Sequence, residues 1–244
     1  MQVCEGIRLQ HDSLLASEEI GSALLSFVRG HGKARRPLAF LCIGTDRSTG
    51  DALGPLVGTA LVELGVKPER VFGTLDAPVH ASNLIPTLAA LEDVLGGAFV
   101  VAVDACLGRA ENVGTITVGP GPLSPGAGVH KTLPAVGSAF VTGTVNVSGF
   151  MEYFVLQNTR LRLVMTMAEV ISRGLHRCAI ALDEALDGSG AGGDGISAPG
   201  RGHGTASGGH SFFWHRLRGT STERVAGAAR SDPARRESTA GGQG

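Results

Sequence analysis

Long apolar runs, aromatic side chains and net charge are all scarce in this chain. Aromatic residues make up 5% of its 244 residues, and the formal net charge is −1. A membrane-spanning helix needs about 20 consecutive apolar residues. No run approaches that length, so we expect no membrane association. Because nucleic-acid binding requires a basic surface to neutralise phosphates, the near-zero charge also predicts no nucleic-acid partner.

Cysteine is equally rare, and the positions are scattered. The four residues are Cys4, Cys42, Cys106 and Cys178. They are too few and too far apart for a disulfide framework or a zinc ribbon, so we expect reduced thiols. The first 21 residues carry four acidic side chains in place of a basic, apolar leader. We therefore expect a cytoplasmic protein.

Strand and helix patterns alternate through the body of the chain. Short apolar runs predict strands at 37–43, 70–75, 98–103, 114–118 and 139–147, and helical spacing predicts helices at 51–64, 81–95 and 159–186. This order predicts an α/β fold with a layered sheet in one domain, 1–187. Residues 188–244 contain 15 of the 37 glycines, a composition that predicts a disordered tail.

The segment from Cys42 to Gly58 reads CIGTDRSTGDALGPLVG and follows a predicted buried strand. It places Asp51 at the expected start of a helix, where the positive end of the helix dipole favours an ionised carboxylate. Such a carboxylate suits a general base or a metal ligand. The alternative is that Asp51 only caps its helix, as Asp often does.

Three aspartates follow predicted strands: Asp51, Asp76 and Asp104. In open α/β sheets, ligands bind at the carboxyl ends of the strands. A long Pro- and Gly-rich loop adds His130. The set suits a divalent ion with oxygen and nitrogen ligands, or a carboxylate pair divided into acid and base. Alternatively, Asp76 only satisfies turn amides and His130 lies in solvent.

Other chemistries find less support. The first motif lacks the Gly-Lys-Ser/Thr ending of a phosphate-binding loop. Cys42 and Cys106 lie in or beside apolar strands, where a buried thiol behaves as a small hydrophobic side chain. Ser48 has no nucleophile elbow around it.

Four motifs together resemble one known family. CIGTDRSTGDALGPLVG, GTLDAPVHASNL, VDACLG and GFMEYFVLQNTRL are similar to the sporulation protein YyaC family (DUF1256) of endospore-forming bacteria, over about residues 38–175. That family is similar in turn to the spore germination protease and to HybD-type hydrogenase maturation endopeptidases. The resemblance implies a three-layer α/β/α fold with a mostly parallel or mixed sheet and a peptidase-like architecture.

The resemblance also implies roles for single residues. The germination protease has a catalytic aspartate in a segment similar to 51–55, and its second aspartate begins an Asp-Ala step similar to 104–105. The maturation endopeptidases hold acidic metal ligands at these two places and a histidine in the later loop. Asp51, Asp104 and His130 are therefore the implied catalytic residues, or the ligands of a zinc or nickel ion. One departure is Asp51 itself, where the endopeptidases have Glu.

Polar residues around this centre are implied to bind substrate: Asp46, Arg47, Asp76, Asn83, Asn158 and Arg160. Those in the LQNTR cluster can equally cap a helix and bond the neighbouring loop. The sequence thus predicts a sporulation-associated peptidase acting on a protein or peptide. A non-catalytic protein that binds a peptide or small ligand is the alternative, and metal-dependent hydrolysis of a small amide is a third interpretation.

Overall fold

A computed structural model describes residues 6–32, 36–125 and 133–188. His130 and the predicted disordered tail lie outside these ranges. The described residues belong to the unit Met1–Gly200, and the second unit, Arg201–Gly244, lies wholly outside them.

The described residues form six strands and five α-helices. The strands are β1 (Ile7–Gln10), β2 (Leu38–Cys42), β3 (Val71–Phe72), β4 (Phe99–Gly108), β5 (Thr115–Pro120) and β6 (Ala139–Val147). The helices are α1 (Ala16–Gly30), α2 (Leu53–Glu63), α3 (Leu84–Leu95), α4 (Glu152–Gln157) and α5 (Leu161–Gly188). None of these helices combines the length and apolar character that crossing a membrane requires.

All six strands belong to one mixed sheet in the order β1-β5-β6-β4-β2-β3. The β3, β2, β4 and β6 strands run parallel to one another, whereas β5 is antiparallel to both β6 and β1. The carboxyl ends of the four parallel strands therefore meet at one edge of the sheet, which is where α/β proteins place their sites.

Helices cover both faces of this sheet. On one face, Leu41 of β2 and Ala102 of β4 pack with Leu84 of α3. On the other face, Gly143 of β6 lies against the side chains of Leu53 in α2 and Met167 in α5. Helix α5 also packs against α1 and α2. The three-layer α/β/α architecture with a mixed sheet is thus confirmed.

Several elements differ from the sequence-based expectation. The strand at 139–147 is confirmed to the residue. The strand expected at 70–75 is reduced to Val71–Phe72, because Gly73 turns the chain with a φ of 98°. Strand β1 and helices α1 and α4 were not predicted. A four-residue strand and a six-residue helix carry too few residues for a clear periodicity.

Helix α2 approaches β2 closely enough for backbone to touch backbone. A Cβ atom on Gly54 would collide with the carbonyl group of Ile43. The first turn of α2 therefore rests directly on the end of β2, and only glycine fits there. Since the Asp51 loop joins these two elements, this contact fixes its position.

Replacement of Gly54 by Ala is expected to destabilise the protein, although the same change in an exposed helix stabilises by about 1 kcal/mol. The added methyl group has no space, and overpacking of this kind costs about 1–3 kcal/mol. Urea unfolding of Gly54→Ala and Gly30→Ala tests this. Gly30 is a matched control because a Cβ there meets no atom within 4 Å. A Gly54 variant as stable as wild type would contradict the packing argument.

Candidate functional site

A cleft of about 360 Å³ opens at the carboxyl edge of the parallel strands. Both Asp51 and Asp104 line it. The polar and aromatic residues that share the cleft with them are Thr45, His80, Cys106, Ser124, Thr142, Glu152 and Tyr153. The two aspartates that the family resemblance implied as a pair therefore line one cleft.

Asp104 lies inside β4 and not at its end, which corrects the sequence-based expectation. The strand continues because its parallel pairing with β6 extends through Asp104 and Thr142 as far as Gly108 and Val147. Ala102 precedes Asp104 on the same face and packs in the core beneath α3. Asp104 is thus the position at which this face of β4 changes from core to cleft.

The backbone N–H of Ala105 donates a hydrogen bond of 2.8 Å to Oδ1 of Asp104. This bond holds the carboxyl group against its own strand. One oxygen is therefore fixed by the main chain while the side chain remains a wall of the cleft.

Asp51 does not cap α2. The helix begins at Leu53 with Ala52 as its N-cap residue, and no side chain bonds the free amides there. Asp51 instead closes the preceding loop, because its carbonyl oxygen accepts a hydrogen bond of 3.1 Å from the N–H of Thr45. The loop is tied to α4 by a 2.9 Å bond from the Gly50 N–H to the Leu156 carbonyl. The Asp51 side chain lines the cleft.

Burial raises the pKa of Asp51 above its usual value, because an apolar surrounding disfavours the charged form. The nearby Ser48 hydroxyl opposes this rise. Burial is the larger of the two influences. The expectation that the helix dipole favours an ionised Asp51 stays a prediction, and burial acts against it.

The substrate-binding residues implied by the resemblance do not line the cleft. Five of them are exposed: Asp46, Arg47, Asp76, Asn158 and Arg160. Asp76 in particular does not join Asp51 and Asp104, because β3 ends at Phe72 and the chain turns away before Asp76. A substrate role for these residues stays a prediction.

Asn83 and Asn158 bond to their own surroundings. Asn83 Oδ1 accepts a 2.7 Å bond from the His80 N–H, and its Nδ2 donates to the Pro78 carbonyl at 2.9 Å. Asn158 Nδ2 donates to the carbonyl of Phe154 at 2.8 Å, at the end of α4. Asn83 therefore shapes the loop that carries His80 into the cleft.

Sequence reasoning missed His80, Glu152 and Tyr153. His80 follows Val79, which forms a parallel β-bridge with Ile43, and its Nδ1 lies 2.8 Å from the Ser82 hydroxyl. The signal was present in the motif GTLDAPVHASNL, where a histidine follows an apolar residue at the sheet edge. Glu152 and Tyr153 enter the cleft from α4, which the sequence did not predict.

The thiol of Cys106 lies in the cleft but is a poor nucleophile. Burial raises its pKa, and the Asp104 charge adds to the rise, while bonds to Thr144 and Thr142 oppose it. Since the thiolate is the reactive form, this environment supports the expectation of an inert cysteine. Burial also raises the pKa of Cys42.

A zinc or nickel ion would need donors beyond the two aspartates. Within 6–32, 36–125 and 133–188, no three His, Cys, Asp or Glu side chains converge as a metal site requires. The proposed third ligand, His130, lies outside these ranges. The described donors alone do not form a complete site, and a metal stays a prediction.

Fold and site together describe an α/β/α protein with two aspartates in one cleft. The family named "Protein of unknown function (DUF1256)" matches residues 8–174, and the chain belongs to that family. It is 52% identical to the "Uncharacterized protein YyaC" of Bacillus subtilis (strain 168) over 167 residues, which cover 68% of this chain and 80% of that protein.

Among solved structures, the chain is similar to the [NiFe] hydrogenase maturation protease HycI from Thermococcus kodakarensis KOD1. The similarity covers 64% of this chain and 98% of that one, at 17% identity and a TM-score of 0.41. A likeness at this level does not transfer an activity.

The raised pKa of Asp51 predicts how stability depends on pH. The folded state holds the Asp51 proton more tightly than the unfolded state, whose Asp value is 3.8. Ionisation of Asp51 therefore opposes folding as pH rises above 3.8, and the cost is absent at lower pH.

Replacement of Asp51 by Asn removes this cost. We expect the free energy of unfolding of Asp51→Asn, relative to wild type, to increase between pH 3.5 and pH 7. Urea unfolding across that range measures it, and Asp76→Asn, an exposed site outside the cleft, controls for net charge. A relative stability of Asp51→Asn that falls as pH rises would show that the native site stabilises the carboxylate.

Proposed function

We propose that the protein is a peptidase in which Asp51 and Asp104 activate a water molecule for attack on a peptide bond. The observation that carries the proposal is that both carboxyl groups line one cleft, and burial raises the pKa of Asp51 above its usual value. An acid and a base within one site is the arrangement that hydrolysis of an amide requires.

The two aspartates take different parts in the proposed reaction. Asp104 accepts a proton from water as the water oxygen bonds to the peptide carbonyl carbon. Asp51 hydrogen-bonds the carbonyl oxygen through its own proton and stabilises the negative charge that develops there. When the carbon–nitrogen bond breaks, the proton taken by Asp104 passes to the leaving amine. Two products result, a new carboxyl end and a new amino end, and both aspartates return to their initial states.

The surroundings of the cleft favour a polypeptide substrate over a small amide. Tyr153 of α4 lines the cleft and is 58% exposed, and its ring lies edge-on to Phe154 with centroids 5.9 Å apart. Phe150, just before α4, is 90% exposed. Exposed apolar side chains beside a site typify surfaces that bind other chains. The cleft thus continues onto a surface suited to substrate residues on either side of the scissile bond.

We propose that the substrate is a protein of the sporulating cell and that the peptidase acts in the cytoplasm. The support is the resemblance of the four motifs to a family of sporulation proteins. The relative from Bacillus subtilis is itself uncharacterised, so cellular extracts are the appropriate source of substrate.

Cleavage is tested by incubating the full chain with an extract of sporulating cells and identifying new peptide ends by mass spectrometry. We expect new ends with wild type and Asp93→Asn, and a loss of at least 100-fold in Asp51→Asn and Asp104→Asn, since removing an acid–base group costs about 10²–10⁴-fold. Asp93→Asn is the matched control, because it makes the same change at an exposed aspartate that does not line the cleft and has no implied role.

Parallel incubations with chelator or with added zinc or nickel show whether the reaction uses a metal. Absence of new ends under every condition would contradict the peptidase and favour a protein that binds a peptide in the same cleft. Full activity of the Asp51 variant would contradict the assigned roles.

A further inference from the structure

A second groove lies along β3, at the edge of the sheet opposite to β1. Strand β3 is the last in the sheet order, so no strand of the described ranges pairs with its outer side. The groove between this strand and α3 has a volume of about 680 Å³. Its walls include Phe72, Thr74, Pro78, Asn83, Thr87 and Ala90.

The chemistry of this groove fits an uncharged, extended chain. None of its lining residues is Asp, Glu, Lys or Arg, and His80 is the one lining side chain that can carry a charge. An outer strand presents backbone N–H and C=O groups, which an extended peptide recognises by adding a strand to the sheet. Proline, alanine and threonine side chains on the α3 side supply an apolar wall.

The groove leads directly to the catalytic cleft. His80 lines both. The preceding residue, Val79, accepts a hydrogen bond of 2.7 Å from the Gly44 N–H, so His80 lies beside the loop that carries Asp51. Because β3 is parallel to β2, its groove runs toward the same sheet edge as the two aspartates.

The shape of the groove is fixed by bonds within the described chain. The Leu75 N–H donates to Thr59 Oγ1 at 2.9 Å, and the Thr74 N–H donates to the Ala77 carbonyl at 3.2 Å. Asn83 holds the opposite side through its two bonds to the segment 78–80. The groove is therefore preformed, which lowers the entropic cost of binding a chain in it.

We propose that the groove along β3 binds the substrate polypeptide in an extended conformation and leads it past His80 to Asp51 and Asp104. This inference rests on the proposed peptidase function and specifies its substrate class: an unfolded segment long enough to occupy both groove and cleft. Since an extended chain rises about 3.3 Å per residue, a short peptide spanning the cleft alone does not reach the groove.

Two neighbouring alanines of α3 give a matched test. Ala90 lines the groove and Ala89 does not, and both are exposed helix residues. Arginine has nearly the same helix propensity as alanine, so neither Ala90→Arg nor Ala89→Arg is expected to perturb folding, and circular dichroism checks this. The Ala90 variant places a long cationic side chain in the groove.

Binding is measured first, so that the result does not depend on cleavage. The probe is a fluorescein-labelled long synthetic peptide built from Ser, Thr, Gln and Val, an unfolded chain without charged side chains, titrated with full-length protein carrying Asp51→Asn. We expect Ala90→Arg to weaken binding at least fivefold and Ala89→Arg to leave it unchanged. Equal affinities in the two variants, or no binding by the Asp51→Asn parent, would overturn the inference. A dimer that forms without the probe and dissociates on Ala90→Arg would also overturn the inference, because a second copy of the chain would then occupy the outer side of β3.

Measurements of cleavage distinguish a failure of the groove assignment from a failure of the proposed peptidase function. With peptides identified from the extract, Ala90→Arg should raise KM for long peptides at least fivefold with little change in kcat, and leave peptides that span only the cleft unaffected. Equal effects on long and short peptides would overturn the groove assignment. Binding without any cleavage would leave the groove supported and reject the peptidase.

Discussion

The backbone contact between α2 and β2 is the constraint on which the rest of the site depends. Glycine at positions 44 and 54 lets the loop and the first turn of α2 lie against the end of β2, since a Cβ at Gly44 would collide with the Asp51 carbonyl. The same edge receives Val79 through its bridge to Ile43. Side chains from three segments consequently converge where Asp104 emerges from the sheet.

The convergence of these side chains favours the proposed reaction but lowers the stability of the folded state. A carboxyl group held in a partly apolar cleft resists ionisation, and Asp51 is held there by its loop rather than by a cap that would stabilise its charge. Ionisation of such a side chain costs folding energy, and in the proposed reaction its proton bonds the peptide carbonyl oxygen. Where two carboxyl groups lie in different surroundings, their pKa values separate, so that one can act as the acid and the other as the base.

Local signals sufficed for the layered fold, because short apolar runs are visible in the sequence. They offered three strand-following aspartates, of which Asp51 and Asp104 line one cleft and Asp76 does not. Local signals failed where pairing between strands that are distant in the sequence decides where an element begins or ends. Strand β4 extends beyond Asp104 because β6 pairs with it, and β3 stops early because Gly73 turns the chain. His80 becomes a cleft residue only through the pairing of Val79, and α4 is too short to leave a periodic pattern.

In the proposed reaction, Asp51 and Asp104 act as one unit. The most direct test compares the single Asn variants with the double variant on one identified peptide, with rates followed by mass spectrometry over long incubations. Residues that share one step are strongly non-additive, so the double variant should be no slower than the slower single variant. Losses that multiply in the double variant would show that the two aspartates act independently and would contradict the claim.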